Sequence, residues 1–191
     1  MAGSYPGFSW REAASDDAEL LSRLAIAGWR QTYAGLMPDS VLSALEANPH
    51  QNAESWSRRL ARRPPDRWTR VVATDAGEPV GLLWFGREER RVPGYGGEIE
   101  KIYLLKPAQG RGLGRALMAD CFQTMEVAGL SPVVIWVFDF NERARTFYEK
   151  LGGRPRGRRE VVFRAEGREF HEIAYGWAPG GLGAAAAARR G

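Results

Sequence analysis

Gln109-Gly110-Arg111-Gly112-Leu113-Gly114-Arg115-Ala116-Leu117-Met118 decides how the rest of this chain is read, because it joins two stretches of different periodicity. Ahead of it, Ile99-Glu100-Lys101-Ile102-Tyr103-Leu104-Leu105 is rich in β-branched, aromatic and leucine residues and predicts a strand, stopped by Pro107. Behind it, Leu113, Leu117, Cys121, Met125 and Ala128 recur at helical spacing. The glycines therefore mark a strand-to-helix junction.

Such a junction suits an anion. The first amides of a helix have no partner within it and carry the positive end of its dipole, and glycines remove the side chains that would keep a diphosphate away from them. Arg111 and Arg115 add positive charge. A P-loop is excluded because no Gly-Lys-Ser/Thr follows, and the dinucleotide fingerprint fails because Arg115 stands where a third small residue is required. What remains is Gln-x-x-Gly-x-Gly, filled by Gln109, Gly112 and Gly114. Downstream, Asn141-Glu142-Arg143-Ala144-Arg145-Thr146-Phe147-Tyr148-Glu149-Lys150-Leu151-Gly152 reads as Asn-x-x-Ala-x-x-x-Tyr-x-x-x-Gly.

Together the two patterns resemble the GNAT superfamily, the acyl-CoA-dependent N-acyltransferases. The resemblance implies a mixed α/β fold: a mostly antiparallel, splayed sheet of about six or seven strands with one central parallel pair, flanked by helices. It implies acetyl-CoA as co-substrate, no metal, and direct transfer to a primary amine, either a small cationic amine or a peptide or protein amine. Backbone groups of Ile102, Tyr103 and Leu104 would bond the pantetheine arm, with an amide near Leu104 facing the thioester oxygen. Gln109, Gly110, Arg111, Gly112, Leu113, Gly114 and Arg115 would hold the pyrophosphate. Asn141 would contact the coenzyme, and Tyr148 would protonate the departing thiolate.

Each assignment has a plainer counterpart. Asn at a helix start is an ordinary cap, and Tyr148 beside Phe147 suits an amphipathic core. For the base that takes the amine proton, Glu98 and Glu100 alternate onto one face of the strand leading into the site; the plainer role is a strand charge facing solvent. The acceptor site is expected between the first two helices and the final hairpin, with Trp29, Tyr33, Trp84 and Phe170 as wall candidates, though aromatics at such spacing also pack cores. His171 and Glu172 lie in the same last strand. A non-catalytic acyl-CoA sensor with the same fold is the alternative; it would bind coenzyme without amine-dependent thiol release.

The composition fits one globular domain. With 191 residues, 44% hydrophobic, the chain can bury a sizeable core, and the expected domain covers residues 1–178. Residues 179–191, Pro followed by Gly, Leu, Ala and Arg, offer no packing face and predict a disordered tail. The single cysteine, Cys121, excludes an internal disulfide and falls on an apolar helix face. The net charge of +4 comes from arginines scattered among acidic residues, with lysine only at 101, 106 and 150, so no nucleic-acid partner is expected. There is no membrane-length apolar run and no signal-like N-terminus, so the expectation is a cytoplasmic monomer or homodimer with no membrane partner.

In chain order, Phe8–Arg11 predicts a strand. Ser15 or Asp16 is expected to cap a first helix through Leu20, Leu24 and Gly28, and Asp39 or Ser40 a second. A third is expected from Asn52 to Leu60. Residues 70–74 and 79–85 predict a hairpin, Val133–Val137 an apolar strand parallel to the one before the glycines, and 160–164 with 169–176 a last hairpin turning at Glu166-Gly167.

Overall fold

The computed structural model describes residues 2–62, 64–89, 92–163 and 168–181. The element order is β1 (Gly3–Tyr5), β2 (Phe8–Glu12), a 3-10 turn (Ser15–Asp17), α1 (Ala18–Tyr33), α2 (Asp39–Glu46), α3 (Pro49–Arg62), β3 (Arg67–Thr74), β4 (Pro79–Arg87), β5 (Gly97–Leu104), a 3-10 turn (Lys106–Ala108), α4 (Leu113–Val127), β6 (Val133–Phe138), α5 (Glu142–Lys150), β7 (Arg154–Phe163) and β8 (Arg168–Trp177). The sheet order is β1-β2-β3-β4-β5-β6-β8-β7. β5 and β6 run parallel, while β1 with β2, β2 with β3, β6 with β8 and β7 with β8 are antiparallel. Among the described residues no helix is long and apolar enough to cross a membrane.

Two compact units divide these elements: Met1–Trp84 with Lys101–Leu117, and Phe85–Glu100 with Met118–Gly191. In the first, the apolar stripe of α1 (Leu21, Leu24) meets Trp56 and Leu60 of α3, Val71 of β3, Leu82 of β4 and Ala13. Tyr103 sits so close to α1 that a Cβ on Gly28 would lie 2.6 Å from its ring, so a glycine there sets how near helix and strand can come. In the second unit the successive residues Val133, Val134 and Ile135 are all buried, so both faces of β6 are covered, and Met118, Cys121 and Met125 of α4 are buried as well. Cys121 is fully buried, as its place on the apolar stripe predicts.

The structure differs from expectation at several places. Among the described residues the sheet has eight strands, close to the six or seven that the resemblance implied. The extra one is β1, paired Gly3↔Trp10 to Tyr5↔Phe8 through the turn Pro6-Gly7, where Gly7 has φ 83°; this is the Pro-then-left-handed-Gly arrangement of a type II turn. β7 begins at Arg154, well before residue 160, because an edge strand tolerates Pro155, with a bulge between Pro155 and Gly157 absorbing the misfit. Its expected turn at Glu166-Gly167 lies outside the described residues, as do residues 182–191 of the expected tail. Neither Ser15 nor Asp16 caps the first helical turn. Asp17 does, reaching back to accept the Ala14 amide at 2.7 Å and the Arg11 guanidinium at 2.6 and 2.8 Å. Arg11 holds the Asp17 carboxyl below the usual carboxylate range, outweighing the opposing effect of burial. Likewise no side chain caps α2; Asp39 instead accepts from Arg30 at 2.7 Å, and the same guanidinium grips Glu46, tying the end of α1 to α2.

Candidate active site

The glycine loop lies wholly in the first unit. Gly110 and Gly112 adopt φ of 74° and 83°, left-handed values that nearly all other residues resist. Gly110, Arg111 and Gly112 are exposed, and a Cβ on Gly110 would meet nothing within 4 Å. The first bonds into α4 are made by Arg115 and Ala116, which both donate to the Gly112 carbonyl, at 3.1 and 3.3 Å. Among the described residues the amides from Gly110 to Gly114 have no acceptor. Unspent amides, a bare backbone and the positive end of a 15-residue helix make a cradle that a diphosphate fits.

Gln109 anchors the loop to the strand before it. Its Nε2 donates to the Leu104 carbonyl, while the Leu105 amide donates to Val80 at 2.8 Å and the Lys106 amide to Gln31 Oε1 at 2.9 Å. The end of β5 is thus fixed to β4 and α1 before the glycines begin. The parallel ladder to β6 comprises Gly97↔Val133, Glu98↔Val134 and Ile99↔Ile135, and Ile102, Tyr103 and Leu104 lie outside it. Arg111 lays its guanidinium on the Phe8 ring, 4.7 Å from the centroid, and Arg115 is exposed.

In the second unit, Asn141 caps α5: its Oδ1 accepts the Ala144 amide at 3.1 Å, and the residue is 5% exposed. Tyr148 is equally buried, and its ring is boxed by Tyr175 (5.9 Å), Trp177 (6.0 Å, edge-on) and Phe147 (5.5 Å). The box is itself tied down. Trp177 Nε1 donates to the Leu151 carbonyl at 3.1 Å, Tyr175 Oη donates to Glu149 Oε1 at 2.6 Å, and Arg145 Nε donates to Tyr175 Oη at 3.3 Å. Burial, then the Glu149 carboxylate, pushes the Tyr175 phenol up, so it stays a protonated donor. Glu98 is 2% exposed, unlike the solvent-facing strand charge considered from sequence, whereas Glu100 is only partly covered.

The aromatic wall candidates fall into three groups. Trp29 and Tyr33 pack edge to face at 4.5 Å on α1, with Tyr33 buried and Trp29 partly exposed. Trp84 leans on Trp56 at 5.5 Å and carries the Arg59 guanidinium at 4.7 Å from its ring. Phe170 belongs to the other unit, in a cluster with Phe138 and Phe140, at 6.0 and 5.8 Å. There, His171 faces Glu160 at 3.7 Å and Glu172 accepts from Arg159. No cluster of three metal-ligating side chains occurs among the described residues. Sequence reading missed Tyr175 and Trp177, which only the β8 pairing brings under α5, and Tyr5, for which the Pro6-Gly7 turn was the available signal.

Comparison with known proteins agrees with this architecture. The model of the acetyltransferase (GNAT) family matches residues 29–153. An uncharacterized N-acetyltransferase of Bacillus subtilis (strain 168), YuaI, is 29% identical over 167 residues, covering 87% of this chain and 91% of that protein. The mycothiol acetyltransferase of Nocardia farcinica is 30% identical over 150 residues, 72% of this chain but 48% of its own length, so the chain spans about half of that relative. Among solved structures, the PaiA N-acetyltransferase of Thermoplasma acidophilum in complex with coenzyme A superposes with a TM-score of 0.65 at 18% identity, over 87% of this chain and 97% of that one. YncA from Salmonella typhimurium, solved with acetyl-CoA, also gives 0.65 at 18% identity, over 90% and 94%. Since both the amide cradle and the Asn141–Tyr148 helix fall inside the matched stretch, which is more than half of the chain, the chain belongs to the GNAT family of acetyltransferases.

Proposed function

We propose that this chain, as a single catalytic domain over residues 1–178, transfers the acetyl group of acetyl-CoA directly to a primary amine. The observation that carries the reading is the open amide cradle from Gly110 to Gly114, which suits the diphosphate of that co-substrate. The coenzyme brings an acetyl thioester; the chain's residues orient it and move the protons. Ile102, Tyr103 and Leu104, outside the β5–β6 ladder, are the backbone proposed to bind the pantetheine arm, with an amide near Leu104 stabilising charge that develops on the thioester oxygen. Asn141 keeps its Nδ2 for the coenzyme while its Oδ1 caps α5.

Three proton movements complete the transfer. Glu98 or Glu100 takes a proton from the ammonium, directly or through water, so that the neutral amine can attack; Tyr148 gives its phenolic proton to the departing thiolate, and the second proton lost by the nitrogen returns to the Tyr148 phenolate. The boxed ring of Tyr148 supports this role, since an acid held in one orientation loses little entropy when it acts. Changing both glutamates to Gln is expected to move the acid limb of the pH–rate profile; an unchanged profile removes them as bases. Trp29, with Tyr33 packed behind it, and Trp84 are the proposed acceptor wall. The acceptor is proposed to be a small cationic amine or a peptide or protein amine, and the protein is proposed to act in the cytoplasm. A panel of such amines with acetyl-CoA and free-thiol detection tests the function: amine-dependent thiol release is expected, and its absence across the panel contradicts it.

A further inference from the structure

The β1–β2 hairpin, which no part of the reaction so far requires, sits directly against the glycine loop. A Cβ built on Gly112 would run into the Tyr5 hydroxyl, with the Tyr5 Cζ at 3.2 Å. Tyr5 is partly buried, and among the described residues its hydroxyl has no hydrogen-bond partner and its ring no aromatic or cationic neighbour. A half-buried phenol ordinarily finds a partner. The loop's own charge is held by the same hairpin: the Arg111 guanidinium lies 4.7 Å from the Phe8 centroid, and its Nη2 would be 3.4 Å from a Cβ on Gly7. Among the described residues no carboxylate neutralises Arg111. The two strands of the hairpin are closely joined, because the Trp10 indole covers Gly3 so tightly that a Cβ there would collide with it, and β2 is paired in turn with β3.

We propose that the turn Tyr5–Phe8 is a second wall of the diphosphate cradle, in which Tyr5 Oη donates to a diphosphate oxygen and Phe8 keeps Arg111 aimed at the same group. A phenol, a guanidinium and the unspent amides of α4 then approach one anion from different sides, and Gly112 is the residue whose lack of a side chain lets the phenol reach it. The proposal rests on the glycine loop being the diphosphate site. It adds a residue outside the Gln-x-x-Gly-x-Gly pattern to that site.

The test is calorimetric binding of coenzyme A, 3′-dephospho-coenzyme A and pantetheine to the wild-type protein and to Tyr5→Phe, with melting temperatures measured alongside. Loss of one hydrogen bond to a charged acceptor should weaken coenzyme A and dephospho-coenzyme A alike by about tenfold, and leave pantetheine unchanged. Arg111→Gln, which leaves the hairpin sequence intact, should show the same pattern. Coenzyme A affinity within twofold of wild type in Tyr5→Phe overturns the proposal, as does an equal loss on pantetheine. A penalty that disappears with dephospho-coenzyme A also overturns it, by moving the contact to the 3′-phosphate. Wild-type protein that binds pantetheine as tightly as coenzyme A would instead overturn the diphosphate site itself.

Discussion

The glycine loop and helix α5 work by opposite means. From Gly110 to Gly112 the chain is exposed, carries no Cβ at two of three positions, and offers backbone amides with nothing yet bonded to them. Along α5 the key side chains are buried: Asn141 and Tyr148 are each 5% exposed, and Tyr148 is enclosed by rings from β8. In the proposed reaction one region binds through what has been removed from it, and the other holds a reactive group through what surrounds it. Substitutions in the loop should therefore cost affinity with little stability, and substitutions around Tyr148 should cost turnover or stability with little affinity.

The widest separation is expected at Tyr148. Tyr148→Phe keeps the ring in its box and removes the proton, so turnover should fall by about 10²–10⁴ while coenzyme affinity, read by calorimetry, stays within about twofold. Equal losses of both would erase the contrast. Next, Trp177→Ala removes the edge-on partner of Tyr148 and Phe122 and the bond to Leu151; a denaturant titration should show about 3–5 kcal/mol lost, as for other buried aromatics cut to Ala. Gly110→Asp probes the loop from the other side. The site is open and Asp tolerates left-handed backbone better than most residues, so stability should change by about 1 kcal/mol or less. A carboxylate in the anion cradle should nevertheless weaken coenzyme A by about 10- to 100-fold.

The smallest effect is expected at a residue that belongs to neither region. Asp17→Asn gives up the charge that accepts the Ala14 amide and pairs with Arg11. Because the folded carboxyl titrates below its ordinary value, its stabilisation is present above about pH 4 and is lost as pH falls through the folded pKa. Arg11 is 53% exposed and solvent screens the pair, so the neutral-pH cost should be about 1 kcal/mol. The difference between Asp17→Asn and wild type should shrink as thermal melts are moved from pH 7 towards pH 3.

What sequence revealed divides along the same line. The strand-to-helix junction at the glycines was legible because all its information is local: where the periodicity changes, and which residues lack side chains. Cys121 was legible for the same reason, as one position on an apolar stripe. The box around Tyr148 was not, since Tyr175 and Trp177 reach it only through the β6–β8 pairing. Arg154-Pro155-Arg156-Gly157 has the composition of a loop, and edge position with a bulge let it be strand. Asp17 displaced Ser15 and Asp16 as cap because it could satisfy Ala14 and Arg11 together. Glu98 could be placed on a face by alternation, but its burial depends on neighbours that alternation does not name.

The most direct measurement is a crystal structure with coenzyme A bound. The account predicts diphosphate oxygens about 3 Å from the amides of Gly112, Leu113 and Gly114, with Tyr148 Oη within hydrogen-bond reach of the coenzyme sulfur. Those amides bonded to protein or solvent while the coenzyme lies elsewhere, or a Tyr148 hydroxyl turned away from the sulfur, would contradict it.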